Sequence, residues 1–248
     1  MAFCYRITGL MSGSSLDGVD LATCEFIRRG TQWDFRILTA ETIPYPASWL
    51  SRLEHYELMS PGQIRDLDLD LGRYYGKLLN DFHGKHGIRP ALISSHGHTL
   101  QHEPQSGITF QAGCGKEIAK LTGVKVVNDF RREDVAQGGQ GAPLVPVGDR
   151  ILFQKYEGCL NLGGFANISY EDEEGLRRAY DIGPVNMALN WIAGLEGYAY
   201  DHNGDLASSG QVSKSLLESL NSLAYYKQEP PKSLGREWFK ETFLPHLQ

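Results

Sequence analysis

CYRITGLMSGSSLDGVDLATCEFIRRGTQWDFRILT, residues 4–39, decides the fold. Residues 4–10 form a short apolar run ending in Gly, 18–27 alternate apolar with polar positions, and 33–39 repeat the alternation, so the segment reads as three consecutive strands. The first turn, within residues 11–18, is built from Gly, Ser and Asp. The same order returns at 158–182, GCLNLGGFANISYEDEEGLRRAYDI: a strand, a Gly-containing turn over 163–167, a strand over 168–170, a turn over 171–175 and a strand over 176–182. The two stretches are not alike in sequence, but their pattern is. The repeat predicts two related α/β lobes around a cleft, each a β-meander followed by helices.

Outward from these meanders the signals are helical. Residues 51–58 form a short polar helical stretch. Ser60 then looks like an N-cap with Pro61 at the first helical position, and Ile64, Leu67, Leu71, Tyr74, Tyr75, Leu78, Leu79 and Phe82 follow at helical spacing, with Gly87 as the closing cap. Residues 91–95 read as a buried strand ending in the polar His96-Gly97-His98, 108–111 as a short strand, 117–121 as a helix, and 124–127 as a strand with Asn128–Arg132 at its carboxyl end. The Gly/Pro-rich run QGGQGAPLVPVG, 137–148, predicts a hinge, so the expected division is 1–148 and 149–248. A helix over 184–196 starting at Pro184 and another over 211–223 complete the series. No closing strand or helix follows, which predicts an incomplete second lobe.

Composition narrows the function classes. With 24 Lys and Arg against 30 Asp and Glu, net charge −6, and no basic run longer than two, a nucleic-acid or membrane-surface partner is not expected. An acidic chain that binds phosphate must do so with local backbone amides or a metal. The four cysteines are scattered with no C-x-x-C pair, no stretch is apolar enough for a membrane span, and no secretory leader opens the chain, so a cytoplasmic location is expected.

Three segments can carry chemistry. Gly13-Ser14-Ser15-Leu16-Asp17-Gly18-Val19-Asp20 offers backbone N–H groups in a tight turn, where Gly13 permits close approach to a ligand, Ser14 and Ser15 add hydroxyl donors, and Asp17 and Asp20 can hold Mg²⁺ through water. The same residues equally suit a Ser/Gly hairpin with Asp17 capping the turn. Asp181-Ile182-Gly183-Pro184-Val185-Asn186 sets an Asp at a strand end before a Pro-started helix, suited to a general base beside a phosphate or to a plain N-cap. His96, Asp129 and Arg131 sit at successive strand ends, where ligands collect in open α/β sheets, and can contact sugar or phosphate. The spacing of His96, His98 and His102 resembles no zinc pattern, so no metal site is assigned there.

MSGSSLDGVD (11–20) resembles the N-terminal signature of anhydro-N-acetylmuramic acid kinases. The resemblance continues through SHGHTLQHEP (95–104), NDFRREDVAQGGQGAPLVP (128–146), NLGGFANIS (161–169), DIGPVN (181–186) and PKSLGREWF (231–239), nearly the whole chain. It implies the two-lobed actin-like, ribonuclease H-like ATPase fold and a reaction with ATP and Mg²⁺ that opens the 1,6-anhydro bond of the amino sugar with water and phosphorylates O6. Asp181 matches the catalytic base, and the segment from Gly13 to Asp20 matches the ATP-phosphate loop, with Gly183 also assigned to the nucleotide. His96, Arg131, Gln140 and Asn186 match the sugar-contacting part. A homodimer is likewise implied. Ser14 stands where the family has Thr, Ile182 and Val185 where many members have Thr and Gly, and Cys114 where an Asp is common. Family members continue well past residue 248, so the nucleotide pocket is expected to be partial. A non-catalytic sugar-binding pseudo-kinase is the rival reading.

Overall fold

The computed structural model describes residues 2–13, 16–103, 106–141 and 143–247. The chain divides into two compact units, Met1–Leu144 and Val145–Gln248. The boundary expected after residue 148 falls inside the first helix of the second unit, Val145–Leu152.

In the first unit, β1 (Ala2–Ser12) pairs antiparallel with β2 (Val19–Arg29), and β2 pairs antiparallel with β3 (Gln32–Ile43). The chain then crosses over through α1 (Ala47–Glu54) and α2 (Pro61–His86) and returns as β4 (Leu92–Glu103), parallel to β1 with Ile7 opposite Leu92 and Ser12 opposite His98. The hairpin strand β5 (Ile108–Ala112) extends the far half of β4. After α3 (Gly115–Thr122), β6 (Val126–Val127) pairs parallel with the near half of β4, and α4 (Phe130–Ala136) follows. The six-stranded sheet runs β3-β2-β1-β4-β5, with β6 also pairing β4. Three antiparallel strands are thus followed by the parallel β4 and β6 of a ribonuclease H-like sheet, and β5 is a hairpin extension.

The core explains the order. Leu10, Val19, Leu21 and Ile93 project from one face of β1, β2 and β4, and Leu67, Leu71, Tyr75, Leu79 and Phe82 from one stripe of α2. All nine are essentially inaccessible to water, at roughly 1.5–3 kcal/mol for each fully buried large apolar side chain. The start of α2 is as the sequence predicts. The Ser60 hydroxyl accepts from the Gln63 N–H (3.4 Å), the Gln63 side chain accepts from the Ser60 N–H (2.8 Å), and Pro61 opens the helix, while Gly87 closes it at φ 62°.

Three local expectations are corrected. β4 does not stop at Ser95 but runs to Glu103, because a bulge at Gly97 (φ 71°) and pairing with β5 carry the ladder on. His96 and His98 therefore lie within a strand, not beyond one. In the second unit, α5 (Val145–Leu152) begins inside the Gly/Pro-rich run, with Pro146 tolerated in a first turn where its missing N–H has no intrahelical partner to lose. The meander β7 (Gly158–Leu162), β8 (Phe165–Glu171) and β9 (Arg177–Pro184) is antiparallel throughout and repeats β1 to β3. Pro184 ends β9 instead of opening a helix. The N–H groups of Val185 and Asn186 bond to Gly164 (2.9 Å) and Gly163 (3.1 Å), so α6 (Asn186–Leu195) starts only at Asn186. α7 (Asp205–Ser209) and α8 (Lys214–Asn221) follow, the latter capped by the Ser213 hydroxyl. A small core of Ala188, Leu223, Phe239 and Phe243 seals this unit.

Gly72 on α2 packs against the Cys114 main chain so closely that a Cβ would stand 2.6 Å from its carbonyl oxygen. Helix propensity alone would make Gly72→Ala stabilising by ~1 kcal/mol. The contact reverses the sign, and overpacking of this kind costs about 1–3 kcal/mol. Chemical denaturation of Gly72→Ala is therefore expected to show a lower midpoint at an unchanged m-value; a higher midpoint would contradict the close α2–α3 packing.

Candidate active site

Because β1 and β4 are parallel, the turn that leaves β1 and the His96–His98 segment of β4 lie at the same end of the sheet. Gly13 follows β1 directly, and its carbonyl accepts the Leu16 N–H (3.1 Å), with Leu16 at φ 59°. Ser14 and Ser15, assigned to the phosphate loop, lie outside the described residues. Asp17 is exposed, Gly18 is buried, and Val19 points into the core under α2, so any ligand contact from Val19 is through its main chain. Asp20 is exposed on the opposite sheet face, where its Oδ1 accepts from the Thr42 hydroxyl (2.6 Å).

That open face holds a recess of about 280 Å³, lined by Gly9, Met11, Asp20, Ala22, Ser94, His96 and Phe130 among others. The register accounts for the grouping, with Met11 opposite Asp20, Gly9 opposite Ala22, and Gly9 also opposite Ser94. Asp20, assigned to the phosphate loop, and His96, assigned to the sugar, thus share one recess.

His96 is held at both ring nitrogens. Its Nε2 accepts from Arg131 Nε (2.9 Å), which puts the ring proton on Nδ1, where it is donated to the Gly97 carbonyl (3.1 Å). Burial first, and then the Arg131 charge, hold this imidazole below its ordinary value, the Gly97 bond opposing them. Arg131 is also half-buried and donates from Nη1 to the Gly141 carbonyl (3.1 Å), while Asp134 Oδ2 accepts the Gly141 N–H (2.7 Å). Two side chains one turn apart on α4 therefore converge on Gly141 of the QGGQG loop, and the adjacent Gln140 is exposed. Asp129, at φ 62°, accepts from Asn128 Nδ2 (3.1 Å) and from Arg132 (2.9 Å) and is engaged locally.

Asp181 lies in the second unit, within β9. It is not an N-cap. Its Oδ2 accepts the Leu234 N–H (2.8 Å), its N–H donates to the Lys232 carbonyl (3.1 Å), and its carbonyl accepts the Tyr225 hydroxyl (2.7 Å). Burial raises its carboxyl above the usual carboxylate range, with the Leu234 N–H pulling the other way. Gly183 is buried in the same strand, with the Tyr226 hydroxyl 3.1 Å from where a Cβ would stand. Asn186 is exposed, donating from Nδ2 to the Leu162 carbonyl (3.2 Å). The 231–235 segment was not read as functional from sequence; its motif PKSLG is the one available signal, and only the fold shows that its main chain holds Asp181.

A family model described as anhydro-N-acetylmuramic acid kinase matches residues 5–248. The chain belongs to that family. Among curated relatives, anhydro-N-acetylmuramic acid kinases are 35% identical over 272 residues in Methylorubrum populi (98% of this chain, 71% of the relative) and 37% over 246 residues in Pseudomonas putida (95% and 66%). A third, from Thiobacillus denitrificans, is 39% identical over 241 residues (93% and 63%). The chain thus spans about two thirds of the length of these relatives. A solved Ppx/GppA-family structure from Aquifex aeolicus resembles it at a TM-score of 0.37 and 12% identity, over 98% of this chain and 70% of that one. That likeness is too remote to bear on the site. Membership of a kinase family implies the use of ATP. No group of three or more His, Cys, Asp or Glu suited to a metal ion occurs among the described residues, and none of the described helices is long and apolar enough to cross a membrane.

The His96–Arg131 bond makes a direct expectation. In Arg131→Gln the imidazole loses both its N–H donor and the neighbouring positive charge, so its titration, followed by NMR, moves up in pH. An unmoved titration would show that Arg131 does not face this ring.

Proposed function

We propose that this chain carries the catalytic parts of an ATP-dependent kinase that opens 1,6-anhydro-N-acetylmuramic acid with water and phosphorylates O6, giving N-acetylmuramic acid 6-phosphate. The observation that carries this reading is Asp181, a half-buried carboxylate held by the Leu234 amide and raised by burial, which makes no salt bridge among the described residues and caps no helix. That environment suits a general base. Asp181 takes a proton from water as the water oxygen bonds to C1. The C1–O6 bond breaks, and O6 takes the γ-phosphoryl group as ADP leaves.

The other residues position and neutralise. The turn beginning at Gly13 gives backbone N–H groups to the phosphates of ATP, with Ser14 and Ser15 adding hydroxyls and Gly183 allowing close main-chain approach. Asp17 and Asp20 would hold Mg²⁺ through water, and the ion would supply neutralisation of the ATP phosphates. His96, its two ring nitrogens engaged by Arg131 and the Gly97 carbonyl, packs its neutral ring against the sugar and fixes the Arg131 guanidinium that donates to sugar hydroxyls. Gln140, exposed beside the anchored Gly141, and Asn186 complete the sugar contacts. A cytoplasmic homodimer engaged in reuse of cell-wall sugar, without nucleic-acid or membrane partners, fits this assignment. The relatives' names favour the kinase over a sugar-binding pseudo-kinase.

A coupled ADP-release assay with the anhydro sugar and Mg-ATP tests the assignment. Sugar-dependent release is expected to fall by about 10²–10⁴-fold in Asp181→Asn, the usual scale for a lost general base. The basic form is the active one, so the rate declines as pH falls through a pKa above the ordinary carboxylate range. Undiminished turnover by Asp181→Asn would overturn the role given to it.

A further inference from the structure

A second set of buried polar side chains lies directly behind the turn assigned to phosphate. The Tyr75 hydroxyl, on α2, is 2.7 Å from the Tyr45 hydroxyl, on the link between β3 and α1. Tyr45 donates in turn to Ser12 Oγ (2.8 Å), and Ser12 Oγ is 2.9 Å from His98 Nδ1 on β4. All four residues are buried, Ser12 at 1% exposure and Tyr75 at 0%. Since Tyr45 gives its proton to Ser12, the Ser12 hydroxyl is free to donate to His98, and the Tyr75 hydroxyl to donate to Tyr45. Every hydroxyl in the chain has a hydrogen-bond partner.

Such a network is costly to bury and has no part in the chemistry above. Its position gives it a purpose. Ser12 is the last residue of β1, and the next is Gly13. At the other end of the turn, Gly18 lies against β3 so tightly that a Cβ would stand 2.7 Å from the Ile43 carbonyl oxygen. The turn therefore leaves from one pinned residue and returns to another. The first pin reaches three further elements through side chains, and it alone depends on hydroxyl groups that can be removed one at a time.

We infer that Tyr45 is a positioning residue for nucleotide binding: through Ser12 it fixes the direction in which the main chain leaves β1 at Gly13, and so how the main chain there meets an anionic polyphosphate. Tyr75 and His98 hold the two ends of the chain in place. The inference rests on the assignment of this turn to ATP phosphates, which goes no further than the turn itself. Tyr45 and Tyr75 touch no ligand in this reading.

Two readouts separate the inference from that assignment. The first is amide hydrogen exchange over residues 12–18 in Tyr45→Phe, beside Tyr74→Phe, a neighbouring ring 6.0 Å from Tyr45 that lies outside the chain. The Tyr45 change is expected to speed exchange over this segment several-fold without altering exchange in the body of α2, whereas the Tyr74 change leaves the segment as it was. Equal exchange in Tyr45→Phe and the parent overturns the inference, whatever the nucleotide does. The second is calorimetric titration with Mg-ATP and, separately, with the anhydro sugar. Tyr45→Phe is expected to weaken Mg-ATP by roughly three- to tenfold, the scale of one lost hydrogen bond, with sugar affinity unchanged; a general loss of structure would weaken both, and that result also overturns the inference. Tyr75→Phe, at the far end of the chain, keeps the test available if Tyr45→Phe does not fold, and should act in the same direction with a smaller effect. If the parent binds no Mg-ATP while Tyr45→Phe still loosens the turn, the nucleotide assignment falls and the pinning of the turn stands.

Discussion

The parallel pairing of β1 with β4 is the constraint on which the first unit depends. An antiparallel neighbour would bring the start of one strand beside the end of the other. A parallel one brings two strand ends together, and here these are Ser12, with the turn that follows it, and His96–His98. The pairing needs a crossover long enough to return the chain to its starting edge. α2 supplies it and buries the same sheet face in doing so, so the interaction that stabilises the unit also assembles its candidate site. The bulge at Gly97 then lets β4 continue and places His96 on the open face and His98 on the buried one.

Burial acts on the ionisable groups of these segments in opposite directions, through a single cause. Removing water penalises the charged form, so the Asp181 carboxyl rises while the imidazoles of His96 and His98 fall, His98 to about 4. The consequence is a carboxyl of enhanced basicity and, at neutral pH, two neutral histidines. His96 accepts from Arg131, and His98 Nδ1 is hydrogen-bonded to the Ser12 hydroxyl. Neutral rings would add no competing titration to the phosphate binding proposed for this end of the sheet.

Much of this was legible in the chain. The two meanders follow from alternation and small-residue turns, and α2 from a 3.6-residue stripe with both caps written locally at Ser60, Gln63 and Gly87. Asp20, Asp181, His96 and Arg131 stand in motifs, and the first unit brings Asp20 and His96 to one recess. What was not legible depended on partners distant in sequence. β4 was read as ending at Ser95 because the polar run after it looks like a loop, and only β5 and a left-handed Gly97 make it a strand. Pro184 suits a helix start by composition, but hydrogen bonds to the 163–164 turn keep it in β9. The amide that holds Asp181 comes from Leu234, 53 residues on, and Ser12 meets His98 across 86 residues. No spacing rule reaches that far.

The central claim is that the end of the β1–β4 sheet binds nucleotide phosphate at one segment and amino sugar at another. The most direct measurement is the amide-exchange footprint of each ligand on the unmodified chain. Mg-ATP should slow exchange over residues 11–20, and the anhydro sugar over 94–98 and 128–141. Protection confined to other segments, or none with either ligand, would contradict the claim.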